Sequence, residues 1–364
     1  MKSTQKNESL ETTRKGEIEK ISSILGEIGF SLKDDQPHLS GERYLMTKDK
    51  LVLLGEHIKN NERVIIKTSK HPNGRKEIET EKNTRDLLKS LSFTKKNIML
   101  PAELYYAEHD GFLVWITSYV PQEKVFVAHT LEEQFFLALR AFEAQEAFHA
   151  ATFEHLRTIK NTFPVFDADK NVEKFEFFKK KIEENFPNKN LSSTLETATH
   201  FLKSNKPIID RYSRYLVHQD FVPHNFRIKN SEVYMLDCSA VYFSNKYEGW
   251  ARFLNYMLIH NPKLEKLLTR YILDNRGEEE YLSLRLMRVL KVAELLEYYT
   301  RSLKKTEGNL RLLTEVRIEF WHDVLKALPT NKELADNIRS DYLTKRDSLR
   351  SVEEKERQRE FALA

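Results

Sequence analysis

The chain has 364 residues, 40% of them hydrophobic and 31% charged, with one cysteine and a formal net charge of +4. That content supports a sizeable core and two or so domains, while a charge so nearly balanced gives no reason to expect a nucleic-acid partner, although its slight basic bias suits an anionic ligand such as a nucleotide. The lone Cys238 excludes an intrachain disulfide and fits a reducing compartment; the opening segment lacks the apolar run of a secretory signal, and no apolar run approaches the roughly 20 residues of a bilayer span, so a cytoplasmic protein without a membrane partner is expected.

Residues 1–16 are polar and read as a disordered tail. Between Gly16 and Phe30, the residues Ile18, Ile21, Ile24, Leu25 and Ile28 fall on one helical stripe. Three strand-like runs follow: Gly41 to Met46, Lys50 to His57 and Arg63 to Ser69. Short polar connections make them an antiparallel meander. A charged helix is expected from about Lys76 to Leu91, and Met99 to Val120 holds two further strands joined at His109, Asp110 and Gly111. From Leu131 onward the spacing is mostly helical: Leu131 to Leu156, Glu173 to Phe186, Leu191 to Ser204, Gly249 to Asn261, Leu264 to Leu273, Tyr281 to Lys305 and Leu310 to Leu328. Arg214 to Phe243 interrupts them with short strands and loops. Strands first and helices after give an α+β chain with two lobes. The N-lobe spans residues 17–120 and the C-lobe 121–330. Residues 331–364 are a charged helix or tail, solvated or alternatively a partner-binding helix.

The most informative segment runs His218, Gln219, Asp220, then Asn225, then an apolar run into Asp237. Transfer of a phosphoryl group from ATP needs a carboxylate near the acceptor hydroxyl and oxygen ligands for Mg2+. Asp220 suits the base, Asn225 and Asp237 suit the metal, and His218 would brace the loop. Turn chemistry alone also uses Asp and Asn, and a lone H-x-D is no signal; the full spacing into a second aspartate is far more specific.

HQDFVPHNFRI followed by VYMLDC resembles the catalytic segment of the aminoglycoside phosphotransferase and choline kinase-like family, H-x-D-x-x-x-x-N and then an apolar strand ending in Asp. Pro223 also matches a common family residue. The resemblance implies a two-lobed protein-kinase-like fold: a small lobe with an antiparallel five-stranded sheet plus helix, and a large, mostly helical lobe. It implies the same roles for Asp220, Asn225 and Asp237. The strand Arg63 to Lys67 is similar to the V-A-I-K strand of kinases, so Lys67 would contact the nucleotide phosphates. A carboxylate from the next helix should hold it; Glu77 and Glu81 share a helical face, and EKNTRDLL favours Glu81. There is no G-x-G-x-x-G loop, and Thr47 in the turn Met46 to Lys50 is the candidate phosphate contact, with a plain hairpin turn as the equal alternative. Ser118 and Val120 are the expected hinge residues, reading adenine through backbone groups.

Two departures stand out. Cys238 replaces an aromatic residue after the metal aspartate. Ser244 to Glu248 replaces the family G-D-P and helix-opening aspartate, leaving Glu248 as the helix N-terminal acid. Acceptor-lining candidates are Tyr298, Tyr299, Glu319, Trp321 and His322, though aromatics so spaced are more often core. Only Arg252 and His260 carry charge on Gly249 to Asn261, and Tyr281 to Lys305 is basic on balance, which disfavours polycationic aminoglycosides. The expected function is ATP- and Mg2+-dependent phosphoryl transfer to a small-molecule hydroxyl. The alternative is a nucleotide-binding pseudokinase or regulatory module. The sequence gives no oligomeric state.

Overall fold

Period-two alternation governs the first unit. β2 (Leu51–His57) and β3 (Arg63–Ser69) pair antiparallel with Leu53 opposite Ile66. Val64 and Ile66 then share one face, and Lys67 points to the other. The computed structural model describes residues 16–34, 36, 49–90, 98–122, 124–152, 155–230, 232–352 and 355. β5 (Glu103–His109) and β6 (Phe112–Ser118) form the hairpin expected at His109 to Gly111, where Asp110 and Gly111 both take positive φ, 48° and 80°. With β1 (Phe30–Leu32) they complete a five-stranded sheet, β1-β2-β3-β6-β5. All its pairings are antiparallel.

The five strands are not quite those expected. The helical stripe ends at residue 27, and Phe30 opens β1 instead of closing the helix. Gly29, at φ 86°, supplies the reversal. The expected strand Gly41 to Met46 lies outside the described residues. Ile21, Ile24 and Leu25 of the first helix pack against Leu53, Val64, Ile66, Val114 and Ile116 on one face of the sheet. On the other face, Ile78 of the helix Pro72–Ser90 packs with Leu113 and Trp115. That helix begins four residues before the expected Lys76.

The chain divides into two compact units, Met1–Asn83 with Leu100–Pro121, and Thr84–Met99 with Gln122–Ala364. Thr84–Met99 thus groups with the second unit, not with the rest of residues 17–120. β4 (Ile98–Met99) explains this in part, because it pairs in parallel with β9 (Glu232–Met235), with Ile98 opposite Val233. In the second unit, β7 (Tyr215–His218) pairs with β10 (Val241–Ser244), and β8 (Phe226–Lys229) pairs with β9. The rest of the unit is mostly helical: Leu131–Thr152, Ala168–Asn185, Lys189–Ser204, Glu248–His260, Pro262–Arg276, Glu278–Ser302 and Gly308–Ala327. Among the described residues, no helix is long and apolar enough to cross a membrane.

The charged C-terminal stretch is neither one long helix nor wholly solvated. Its helix covers Asp336–Leu349, where Tyr342 is buried and stacks on Phe320 with ring centroids 4.3 Å apart. Arg339 donates to the carbonyls of Leu258 and Ile259 at 3.0 and 2.9 Å, satisfying groups at the C-terminal end of Glu248–His260.

The first turn of Pro72–Ser90 sits tightly on the residues before β2. A Cβ on Gly74 would lie 1.9 Å from the carbonyl oxygen of Asp49, which also accepts from Ser69 Oγ at 2.5 Å. Gly74→Ala is expected to lower stability by about 1–3 kcal/mol, read as a lower melting temperature; a variant as stable as the parent contradicts this close approach.

Candidate functional site

β7 delivers the chain to the motif, and apolar burial fixes its shape. Phe221 and Val222 are buried directly after Asp220, with Phe221 stacked on Phe226 at 4.9 Å and tilted against Phe142 at 5.6 Å. Two inward side chains force the intervening backbone into tight turns. Val222 N–H donates to Asp220 C=O at 3.1 Å, and Asn225 N–H to Val222 C=O at 2.8 Å. Asn225 Nδ2 then reaches back to Asp220, bonding its carbonyl at 2.8 Å and its Oδ2 at 2.9 Å.

His218 is fully buried, and its Nε2–H donates to the carbonyl of Asp237. It therefore ties the end of β7 to the backbone of the second aspartate. Leu236 N–H donates to the Asn225 carbonyl at 2.9 Å, which brings the end of β9 beside the loop. Asp237 Oδ1 accepts from Ser239 N–H and Oγ at 2.9 and 2.7 Å. Cys238 is buried.

Asp220 has a further partner whose role the motif does not announce. Arg252 Nε donates to Asp220 Oδ1 at 2.7 Å. Burial pushes the Asp220 carboxyl upward, but Arg252, then His218 and Lys291, outweigh it and hold the group below its ordinary value. Burial likewise opposes the charge on Arg252, and Asp220 more than restores it. The available signal was the one arginine on the mostly apolar helix that follows the motif.

Behind this pair lies a buried charge cluster. Glu248 opens its helix fully buried, accepts from Ser244 Oγ and lies 3.5 Å from Lys291 Nζ. Lys291 also binds Glu294 at 2.9 Å, and Lys174 donates to Gln219 Oε1 at 3.2 Å. Of the acceptor-lining candidates, Trp321 is core and His322 is engaged with Thr194 at 2.9 Å, while Glu319 is exposed. Tyr298 is also exposed, and Tyr299 lies under Arg317 at 5.4 Å and acts electrostatically on Arg252.

In the first unit, Lys67 Nζ meets Glu81 Oε2 at 2.5 Å, with Glu81 fully buried and Lys67 nearly so. Lys67 also lies over the Trp115 ring, 5.5 Å from its centroid. Glu77 instead pairs with Lys50 at 3.0 Å. Ser118 N–H donates to the Ala102 carbonyl at 2.8 Å, whereas the backbone N–H and C=O of Val120 have no partner among the described residues. Thr47 lies outside the described residues.

No family model matches the chain, and no curated protein matches it. Solved structures do. A thermostable mutant of aminoglycoside phosphotransferase APH(4)-Ia, in apo form, aligns with TM-score 0.57 and 15% identity over 85% of this chain and 97% of its own. The GDP complex of wild-type aminoglycoside 2'-phosphotransferase-IIIa aligns with TM-score 0.56 and 19% identity, over 83% and 94%. Macrolide 2'-phosphotransferase MphH from Brachybacterium faecium, as apoenzyme, aligns with TM-score 0.55 and 11% identity, over 86% and 98%. The fold is that of the aminoglycoside and macrolide phosphotransferases. At such identities the likeness is one of fold.

The Arg252 contact has a pH consequence. Asp220 is expected to titrate below its ordinary 3.8, followed by NMR of the carboxyl carbon, and Arg252→Gln is expected to raise that value. A folded-state value below the unfolded one means the stabilisation is present above 3.8 and is lost as pH falls through the folded value. An unchanged titration in Arg252→Gln contradicts the pairing.

Proposed function

We propose that the chain is a small-molecule kinase that transfers the γ-phosphoryl group of ATP to an acceptor hydroxyl. The observation that carries this reading is the hold on Asp220. One carboxylate is fixed at the end of a buried strand by Asn225, five residues on, and His218 bonds the backbone of the second aspartate, Asp237. Turn chemistry alone does not call for a fully buried histidine bonded to Asp237, nor for an arginine on the other oxygen of Asp220.

In the proposed step, Asp220 orients the acceptor O–H. The acceptor oxygen forms a bond to the γ-phosphorus, the bond from that phosphorus to the bridging oxygen breaks with its electron pair leaving on ADP, and the proton passes to the Asp220 carboxylate. A carboxyl held below its ordinary value is a weak base for an alcohol. Its main work is therefore orientation, with proton uptake late, as suits a loose phosphoryl-transfer transition state.

Magnesium fits the donors present. It takes oxygen ligands, commonly one or two from protein with the rest from phosphates and water. Asn225 spends its Nδ2 on Asp220, and its Oδ1 has no partner among the described residues; Asp237 supplies a carboxylate. When bound, the metal would neutralise phosphate charge. Lys67, held by Glu81, would contact the α- and β-phosphates, and Val120 would read adenine through its backbone. Thr47 is proposed for the phosphate loop, and Ser118, whose N–H is spent on Ala102, as a hinge residue that positions Val120.

Asp220→Asn is expected to cut ADP production in the presence of acceptor by about a hundred- to ten-thousand-fold, with thermal stabilisation by Mg-ATP retained. A pseudokinase shows that stabilisation and little turnover in either form. Removing one member of a buried ion pair costs about 3–5 kcal/mol, so Lys67→Ala is expected to lower both stability and turnover. The double change Lys67→Met with Glu81→Met is expected to recover the melting temperature and leave turnover lost; full activity in either variant rejects the phosphate role of Lys67.

A further inference from the structure

Arg252 is only partly spent. Its Nε is fixed to Asp220 Oδ1 at 2.7 Å, while Nη1 and Nη2 have no protein partner among the described residues. Neither is sealed away from solvent, and about a quarter of the side chain is exposed. A guanidinium carries five donors in a planar fork and stays charged at any working pH. With Nε anchored, the two Nη groups are held as a rigid pair beside the carboxylate that would orient the acceptor. Such a pair matches the two oxygens of a carboxylate or phosphate.

The same helix face continues this theme. Arg252, Tyr256 and His260 recur every fourth residue and so lie along one face of Glu248–His260. Tyr256 stacks on His260 at 4.1 Å, and His224 of the catalytic loop meets the Tyr256 edge at 5.5 Å. Desolvation, then Arg346, His224, Arg350 and Arg339, disfavour a proton on His260; the leading charges that bear on it are all basic. The acids that act on Arg252 are engaged: Asp220 by Arg252 and Asn225, and Glu294 by Lys291 at 2.9 Å.

Resting on the kinase reading above, we propose that the acceptor is a hydroxylated molecule bearing an anionic group, a carboxylate or a phosphate ester, and that Arg252 recognises that group through its Nη pair. An ammonium-bearing acceptor would set its charge against the guanidinium next to Asp220, an unfavourable contact at low local dielectric. The arrangement therefore selects against polycations as well as for anions.

The test is a size-matched acceptor panel with Mg-ATP, read as ADP formed: glycerate, glycerol phosphate, glycerol and aminopropanediol, with gluconate, glucose and glucosamine as a larger set. The expected result is that anionic members exceed their neutral and cationic matches in kcat/KM by about ten-fold or more, equivalent to 1.4 kcal/mol. Preference for the carboxylates or for glycerol phosphate identifies which anion is taken. Arg252→Gln is expected to raise KM for the anionic acceptor by about ten-fold and to move the neutral match less, and Arg252→Lys, which keeps the charge and loses the fork, to rescue part of the preference. A purely structural arginine would lower stability without this split between acceptors. Turnover of neutral or cationic members at least as fast as the anionic ones, abolished by Asp220→Asn, overturns the anion assignment and leaves the kinase standing. Silence toward every member with Mg-ATP still stabilising the chain also overturns the anion assignment; silence without such stabilisation removes the kinase reading as well.

Discussion

Asp220 is held between two donors, and everything proposed for the second unit depends on that hold. Asn225 Nδ2 takes one carboxylate oxygen and Arg252 Nε the other, at 2.9 and 2.7 Å. Neither donor could keep its place on a mobile support. The loop carrying Asn225 is pinned by Phe221 and Val222, and the helix carrying Arg252 is fixed by Trp250, which stacks on Phe142 at 3.6 Å, and by buried Phe253. Polar precision is thus borrowed from apolar packing, where volume is conserved and side chains have few alternatives.

The first unit solves a similar problem with a sheet. Alternation along β3 sends Val64 and Ile66 into the core beneath the first helix and Lys67 toward Pro72–Ser90. Lys67 opposes Trp115 across the ladder and meets Glu81 from the helix. A one-residue slip of β3 would exchange these faces. The buried ion pair is weak evidence for stability, because desolvation offsets most of its attraction. Its value is positional, since a lysine so held has a defined direction.

Electrostatics in the second unit form a chain of compensations. Lys291 is buried against Glu248 and Glu294, and they more than offset the desolvation that would discharge it. Lys174, with burial and Lys291 both against it, is lowered. The cationic groups that act on Asp220 are themselves paired with acids, Arg252 with Asp220 and Lys291 with Glu248 and Glu294. The solved phosphotransferases of this fold include one whose structure carries kanamycin, an aminoglycoside. A shared fold does not fix what a protein binds.

Local chemistry made much of this readable in advance. Period-two runs announced β2, β3, β5 and β6, and helical spacing announced the long helices, with ends missed by a few residues where caps decide. The spacing from His218 to Asp237 announced the motif, because those residues sit on one short loop and hairpin whose geometry is local. Tertiary structure decided what joins distant segments. β1 is only three residues long, too short for a pattern, and exists because β2 offers it an edge. The C-terminal helix carries charge on six of its 14 residues, yet Tyr342 and Arg339 anchor it to partners far back in the chain. Arg252 stands 32 residues beyond Asp220. Its charge was legible in the sequence; that this charge faces the carboxylate follows only from how the helix packs against the loop.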